Sequence, residues 1–190
     1  MSYDLKSVFY LDTSTTVAAT TAGGGTAQLD LSAYIDPIAR GRTKGTGLAV
    51  YKAHFVMSQS NTMEPIDDAE AGTLRAGLLA GAGMGDNATG AAAFTPATQF
   101  NATNNLLVAS YDFYGPKSMA AFTSGTPTMY SNLMKPSIEV PYVIVRDNVV
   151  LAYDIGDQFV TAHTLSVRLE CAQITLDQAT LNQLLRTQTV

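Results

Sequence analysis

Charge is scarce in this sequence of 190 residues: charged residues make up 14%, with 11 Lys and Arg against 16 Asp and Glu. A typical globular domain has about 25%. The formal net charge is −5, and the densest basic group is Arg40, Arg42 and Lys44, which lie in a glycine-rich connection that predicts a solvated loop. Binding to phosphates needs clustered Lys and Arg. We therefore expect no direct contact with nucleic acid.

Cysteine and long apolar runs are also nearly absent. The only cysteine, Cys171, cannot form an intramolecular disulfide, and its position on an apolar strand face predicts a small buried hydrophobe. No segment has the roughly 18 apolar residues of a membrane span, and the first ten residues lack the pattern of a signal peptide. These absences predict a protein that is made in the cytoplasm and is soluble when made.

Clusters of metal-binding residues are missing as well. The two histidines, His54 and His163, each stand alone on a predicted strand without a partner at ligand spacing, which favours surface or interface residues over metal ligands. Asp67, Asp68 and Glu70 lie close together, but their segment lacks the glycine and the late glutamate of a calcium loop. This acidic segment is therefore predicted to be a solvated loop.

Catalytic motifs are not found either. Gly23, Gly24 and Gly25 are not followed by the Lys-Ser/Thr of a phosphate-binding loop, and no Gly-x-Ser-x-Gly motif is present. The acidic residues do not suggest a glycosidase pair. The sequence therefore predicts no catalytic, cofactor-binding or metal-binding residue, and a protein that is not an enzyme.

What the sequence does contain is a strong β pattern, which is clearest from Thr161 to Gln173. Its apolar and polar residues alternate, as they do in a strand with one buried and one wetted face. The apolar face is predicted to hold Leu165, Val167, Leu169 and Cys171, and the polar face Thr164, Ser166, Arg168 and Glu170.

Two apolar runs precede this strand, at residues 142–145 and 149–153. Arg146, Asp147 and Asn148 separate them and are typical of a short hairpin loop. Both runs carry apolar residues on both faces, so we expect both faces to be covered. The region from residue 139 to residue 173 is predicted to be the centre of a two-layered β protein.

Further strands are predicted over residues 7–12, 26–35, 48–57, 73–82 (strand or short helix) and 105–114. In the third strand, Tyr51, Phe55 and Met57 are expected on one face and Lys52 and His54 on the other. Residues 13–25 are predicted to be a loop or an extended polar segment.

The tail after residue 174 changes to helical spacing, which predicts a short C-terminal helix capped by Thr175 or Asp177. About eight strands with almost no helix between them predict an antiparallel sandwich, because parallel sheets need helical crossovers. Long connections, such as residues 83–104 and 119–136, favour a jelly roll. We predict one all-β domain over residues 1–190, with residues 1–25 as an extended N-terminal arm or edge segment.

The strand series TAQLDLSAYI, GLAVYKAHFVM, NLLVASYDFY, VPYVIVRDNVVLAY and TAHTLSVRLECAQITL resembles the sheets of jelly-roll viral capsid proteins in order and spacing. Lys6 is the only basic residue before Arg40, so the basic arm of capsids that package a genome directly is missing. In this respect the chain resembles the single jelly-roll major capsid proteins of tailless, internal-membrane icosahedral viruses of bacteria and archaea.

The resemblance implies a virion protein that builds capsomers from copies of itself, together with a second capsid protein in some members. It also implies contact with an internal membrane or with minor capsid proteins. A different function stays open: a phage receptor-binding or carbohydrate-binding jelly-roll module that uses loop aromatics such as Tyr130. The two functions differ in the expected behaviour of the purified protein. A capsid subunit forms oligomers or shells, whereas a binding module is retained on a glycan array.

Overall fold

A computed structural model describes residues 8–36, 44–66, 70–81, 100–115, 129–131 and 135–188 of the chain. These ranges contain nine strands and one helix. The elements are β1 (Val8–Val17), β2 (Gly23–Asp30), β3 (Lys44–Gln59), β4 (Thr73–Ala80), β5 (Leu107–Tyr114), β6 (Met129–Ser131), β7 (Tyr142–Ile144), β8 (Asn148–Ile155), β9 (His163–Asp177) and α1 (Gln178–Thr187).

The strands form two sheets, and every pair within them is antiparallel. The first sheet has the order β1-β9-β3-β7, and the second has the order β2-β8-β4-β5-β6. Their inner faces enclose one large apolar cluster, to which both sheets contribute fully buried side chains such as Leu48, Leu78, Leu151 and Leu169. The predicted all-β antiparallel sandwich with a short C-terminal helix is thereby confirmed.

The pairing of the strands is nested along the chain. The first strand pairs with the last, β2 pairs with β8, and β3 pairs with β7. At the centre of this nest, β4 pairs with its neighbour β5. The later strands therefore pair with the earlier strands in reverse order, so most strand pairs join residues that are far apart in sequence.

Strand β9 confirms the face assignment made from its alternation. Leu165, Leu169 and Cys171 are fully buried, and Val167 is 1% exposed. The strand lies between β1 and β3, so its inward side chains face the other sheet from the middle of their own. Its central position explains why its period-two pattern is the cleanest in the sequence.

In strand β3, the prediction for Tyr51 is wrong. The register against β9 shifts between Val50 and Lys52, so Tyr51 is the extra residue of a bulge. Tyr51 consequently packs with Ala49 and Ala172 on the outer side of the sheet. Beyond the bulge, Phe55 and Met57 contact the main core as expected. One inserted residue reverses the faces of a strand, because its side chains alternate with a period of two.

The hairpin predicted across residues 146–148 is also wrong. Strand β7 belongs to the first sheet and β8 to the second, so the short connection between them crosses from one sheet to the other. The two strands never pair with each other among the residues that the structure describes. Both faces of β8 are nevertheless covered, as expected, because Leu151 lies in the main core and Val150 packs against Phe100 on the outer side.

Residues 13–25, predicted to be a loop or an extended polar segment, are mostly extended strand. Strand β1 continues to Val17 and β2 begins at Gly23. Two of the three glycines allow a close approach: a Cβ on Gly24 would clash with the carbonyl oxygen of Tyr153, and one on Gly25 would lie 2.6 Å from the Tyr153 hydroxyl. The glycine run is therefore part of strand β2 and packs closely against Tyr153. The N-terminal segment contains β1, the edge strand of the first sheet.

Helix α1 closes one end of the sandwich. Asp177 caps it by accepting a hydrogen bond from the backbone N–H of Thr180 at 2.7 Å, as one of the two predicted caps. Leu181 is fully buried against Val145 and Leu176. Just after the helix, the side-chain amide of Gln188 accepts from the N–H of Val145 and donates to the carbonyl of Val143. The edge of β7 is thus occupied by a side chain.

Several predictions concern residues outside the described ranges. These are the basic residues Arg40 and Arg42, the acidic residues Asp67 and Asp68, most of the connections 83–104 and 119–136, the first seven residues, and the side chain of Tyr130.

Candidate functional site

The outer side of the first sheet carries rows of side chains that run across β1, β9 and β3. One row is formed by Tyr10, Glu170 and Lys52. The next row is formed by Asp12, Arg168 and His54, and a third by Ser14, Ser166 and Val56. We call this surface the β1–β9–β3 outer face.

Large apolar side chains are exposed on this face. Tyr10 is 60% exposed, Val56 55% and Val8 42%. Tyr10 and Val56 contribute to a groove of about 650 Å³ whose other walls include Asp12, His54 and Arg168. Apolar side chains clustered in a groove with a polar rim are typical of a surface that binds another protein.

The charges of the face balance one another. Its carboxylates are those of Asp12 and Glu170, and its permanent bases are Lys52 and Arg168. The Nζ atom of Lys52 lies 3.8 Å from Glu170 Oε2. The face therefore adds no net charge, although the chain as a whole carries −5.

The first of the predicted lone histidines, His54, has a partner on this face. Its Nε2 atom lies 2.9 Å from Oε1 of Glu170, and its side chain is 49% exposed. The prediction of a surface residue is consistent with this position. The sequence has no His, Cys or Asp at metal-ligand spacing from His54, and its hydrogen-bond partner Glu170 comes from β9, more than a hundred positions along the chain.

The second histidine, His163, is not a surface residue, and here the prediction is wrong. Its side chain is fully buried, and its Nε2 atom lies 3.7 Å from Oε2 of Glu70, which is 1% exposed. The ring also packs against Phe159, with the ring centroids 5.0 Å apart. The assignment of Glu70 to a solvated loop is therefore wrong as well.

Glu70 is buried because its carboxylate accepts many hydrogen bonds. Oε1 accepts from the backbone N–H groups of Ala71, Gly72 and Val160, each at 2.9 Å. Oε2 accepts from the N–H and the hydroxyl of Thr161, both at 3.4 Å. We call this arrangement, with His163 beside it, the Glu70–His163 clasp. A buried carboxylate is tolerated when donors replace its lost water.

His163 lacks such compensation among the residues that the structure describes. Neither ring nitrogen has a hydrogen-bond partner there, although at least one of them carries a hydrogen. Burial lowers the pKa of His163 because the charged form loses its water, and the nearby Glu70 carboxylate and the backbone of Thr161 offset this only in part. The folded protein therefore favours the neutral ring.

A polar cleft lies on the outer side of the second sheet. Arg75 makes a two-pronged ion pair with the buried Asp112, through Nε at 2.7 Å and Nη2 at 2.6 Å. Asp154 lies opposite Arg75 in the register of β8 against β4, and Tyr114 adds a ring that is 38% exposed. The cleft has a volume of about 330 Å³. It combines hydroxyl-binding groups with an aromatic ring.

Cys171 behaves as a small hydrophobe. It is fully buried within the core, and burial raises the pKa of its thiol to about 12. The Sγ atom donates a weak hydrogen bond to the carbonyl of Phe9 at 3.5 Å. A thiol with so little thiolate is a poor nucleophile. Within the described part of the chain, no three His, Cys, Asp or Glu residues come together as a metal site.

Sequence reasoning missed the clasp for a specific reason. Glu70 and His163 are far apart in the chain, and each was judged against its sequence neighbours. The available signal was the alternation of β9, which begins at His163 and places it on the same face as Leu165 and Val167. Extending that pattern backward would have placed the histidine inside.

No family model matches the chain, and no curated protein matches it. The described helix is too short and too polar to cross a bilayer.

Proposed function

We propose that this chain is a structural virion protein, a capsid subunit that assembles through the β1–β9–β3 outer face. The observation that carries the proposal is the combination on that face of exposed Tyr10, Val56 and Val8 with compensated charges. The proposed occupant of the face is a second copy of the chain. Two copies that meet through this neutral face do not repel each other there. Two copies that meet through the remaining surface, which carries the net charge of −5, repel each other.

The nested strand pairing supports a jelly-roll form of the sandwich. In such a fold a long antiparallel hairpin is rolled up, so that the outermost strands of the hairpin pair with each other. The pairs β1–β9, β2–β8 and β3–β7 follow this rule, with β4–β5 at the tip. Jelly rolls serve both as capsid subunits and as binding modules, so the fold alone does not decide between them.

The free edge of β1 also supports assembly. This edge strand has ten residues and contains neither Lys nor Pro, which proteins commonly use to block edge pairing. No described strand pairs with its outer edge. By contrast, the opposite edge of the same sheet, at β7, is occupied by Gln188. Among the described strands, the first sheet is therefore unpaired at its β1 edge, where the Thr16 carbonyl accepts a hydrogen bond from the Tyr153 hydroxyl.

The proposal includes the partners that the resemblance implies. These are other copies of the chain, a second capsid protein, and minor capsid proteins or an internal membrane within the virion. The balanced charges of the outer face support a protein partner over nucleic acid, which would require an excess of basic residues. We propose a structural role without catalysis.

The direct test is the assembly state of the double variant Tyr10→Ser/Val56→Ser. We expect the parent protein to form defined oligomers or shells in sedimentation velocity and electron microscopy, and the double variant to remain monomeric. Val140→Ser is the matched control, because Val140 is 74% exposed but lies outside the face. A parent protein that stays monomeric at high concentration and at every salt concentration would overturn the proposal, and so would normal assembly of the double variant.

A charge reversal tests the electrostatic argument separately. Arg168→Glu replaces a base by an acid in the middle of the face, between Asp12 and His54. We expect assembly to weaken most at low salt and to recover partly at high salt, where repulsion between exposed charges is screened. A salt-independent effect would show that repulsion is not the cause.

The cleft on the second sheet favours a second candidate, a carbohydrate-binding module. Carboxylates and a guanidinium bind sugar hydroxyls, and an exposed ring stacks on a sugar face. Asp154, Arg75 and Tyr114 provide these groups, while the buried Asp112 holds the guanidinium of Arg75 in place. This function predicts that a monomer is retained on a glycan array and that Tyr114→Ala or Asp154→Asn abolishes retention. Assembly without glycan binding would exclude it.

A further inference from the structure

The Glu70–His163 clasp joins the two sheets at one end of the sandwich. Glu70 lies just before β4 of the second sheet, whereas Val160 and Thr161 lie just before β9 of the first. The carboxylate of Glu70 accepts hydrogen bonds from both of these backbone N–H groups. The end of the sandwich is therefore held closed by one buried carboxylate.

His163 is the group beside this carboxylate that can change its charge. Its neighbours in the strand register are Val17 on β1 and Gln59 on β3, neither of which ionises. Phe159 covers the ring from the preceding segment. Among the described groups, Glu70 is the titratable one that faces it, and the carboxylate of the nearby Asp157 accepts a hydrogen bond from the Thr73 hydroxyl at 3.5 Å. Neither ring nitrogen has a well-formed hydrogen bond within the described residues, although the backbone of Thr161 lies close enough to favour the charged ring.

We propose that the clasp is an acid-sensitive fastening of the sandwich, closed while His163 is neutral and weakened when His163 takes up a proton. A proton on the ring places a charge in a site with no exposure to water, at 3.7 Å from Glu70 rather than in hydrogen-bond contact. The ring reaches water, or a closer position beside the carboxylate, by moving away from Phe159. Either movement disturbs the hydrogen bonds that hold residues 160 and 161.

The direction of the effect follows from proton linkage. In the open form His163 has its ordinary pKa of about 6.5, and in the closed form burial lowers that pKa. Above about pH 6.5 neither form binds the proton, so pH has no effect through this residue. Below it, the open form binds the proton first, and acid favours opening until the lower pKa of the closed form is reached.

Hydrogen exchange of the intact protein tests this directly. We measure protection factors, corrected for the intrinsic pH dependence of exchange, for the amides of Gly72, Val160 and Thr161 at pH 7.5 and 5.5. We expect a decrease on acidification that reaches at most about tenfold, the factor by which a group with a pKa of about 6.5 in the open form favours that form at pH 5.5 while the closed form stays neutral. The amide of Val145, which is bonded to Gln188 instead, is the internal control and should change little.

Two variants assign the effect to one histidine. His163→Gln should remove the pH dependence of these amides, and His54→Gln should leave it in place, because His54 lies on the exposed outer face. If His163→Gln does not fold, an NMR titration of the two histidine rings in the parent protein decides which histidine causes the pH dependence. Unchanged or increased protection in acid would overturn the proposal, and so would a decrease that persists in His163→Gln.

Discussion

The protein contains two carboxylate–histidine pairs that differ mainly in their access to water. The pair His54–Glu170 lies on the outer face of the first sheet at 2.9 Å, with side chains 49% and 24% exposed. The pair His163–Glu70 lies inside at 3.7 Å, with side chains 0% and 1% exposed. The closer contact belongs to the pair in water, where ion pairs contribute little to stability. Distance alone therefore does not rank the two pairs.

The difference teaches that the environment of a carboxylate sets its role. Glu170 interacts with Lys52 and His54 from an exposed position, and water replaces either partner at little cost. Glu70 instead accepts hydrogen bonds from backbone N–H groups of two separate segments, which have no water to bind at this buried position. Removing an acceptor of this kind leaves buried N–H groups without partners, which is costly.

The largest expected effect in this comparison is that of Glu70→Ala. We expect the free energy of unfolding to fall by about 3–5 kcal/mol, as when one member of a buried, hydrogen-bonded pair is removed. Glu170→Ala is the matched control and should cost less than about 1 kcal/mol. Urea denaturation of both variants measures the difference. Similar losses for the two variants would show that the buried and exposed pairs are equivalent.

A second contrast between buried and open positions lies within β9 itself. Leu169→Ala on the core face should cost about 2–5 kcal/mol, because it leaves a cavity in a packed interior. Ser166→Ala on the outer face should cost no more than about 1 kcal/mol, since it loses only a hydrogen bond of 3.3 Å to the carbonyl of Val56. Denaturant midpoints check both values. Loss of assembly in a stable Ser166→Ala variant would sharpen the proposed role of that face.

The smallest expected effect concerns Cys171. Cys171→Ala removes a single heavy atom from an apolar site, so we expect a loss of about 0.5–1.5 kcal/mol, as for the deletion of one buried methyl group. In the parent protein, burial that raises the pKa of the thiol to about 12 should make its labelling by a thiol reagent very slow at neutral pH. Mass spectrometry with and without denaturant follows the labelling. Rapid modification of the folded protein would contradict the buried position.

Local patterns were sufficient to predict much of the fold. The alternation of β9 predicted its buried face. The change to helical spacing after residue 174 predicted α1 with Thr175 or Asp177 as its cap, and Asp177 is the residue that caps it. These features depend on neighbours in sequence. The two-layered, antiparallel arrangement followed from the near absence of helix between strands, a property of the whole chain.

The errors arose where distant residues decide the outcome. The bulge at Tyr51 depends on the partner strand β9, and nothing in the sequence of β3 marks it. Arg146, Asp147 and Asn148 form a tight connection as expected, yet the segments beside them join different sheets. Glu70 looked solvated because its donors at residues 160 and 161 come from another part of the chain. The outer face could not be predicted from the sequence either, because it forms only where β1, β9 and β3 lie side by side.

The nested pairing of the strands has a consequence for folding during synthesis on the ribosome. Strand β1 cannot find its partner until β9 has been synthesised, because Val17 pairs with His163. At translation rates of about 5–20 residues per second, the nascent β1 waits roughly 8–30 seconds for that partner. During this interval the lysine-free edges of β1 are unpaired, so they are exposed to strands of neighbouring nascent chains until the sandwich closes.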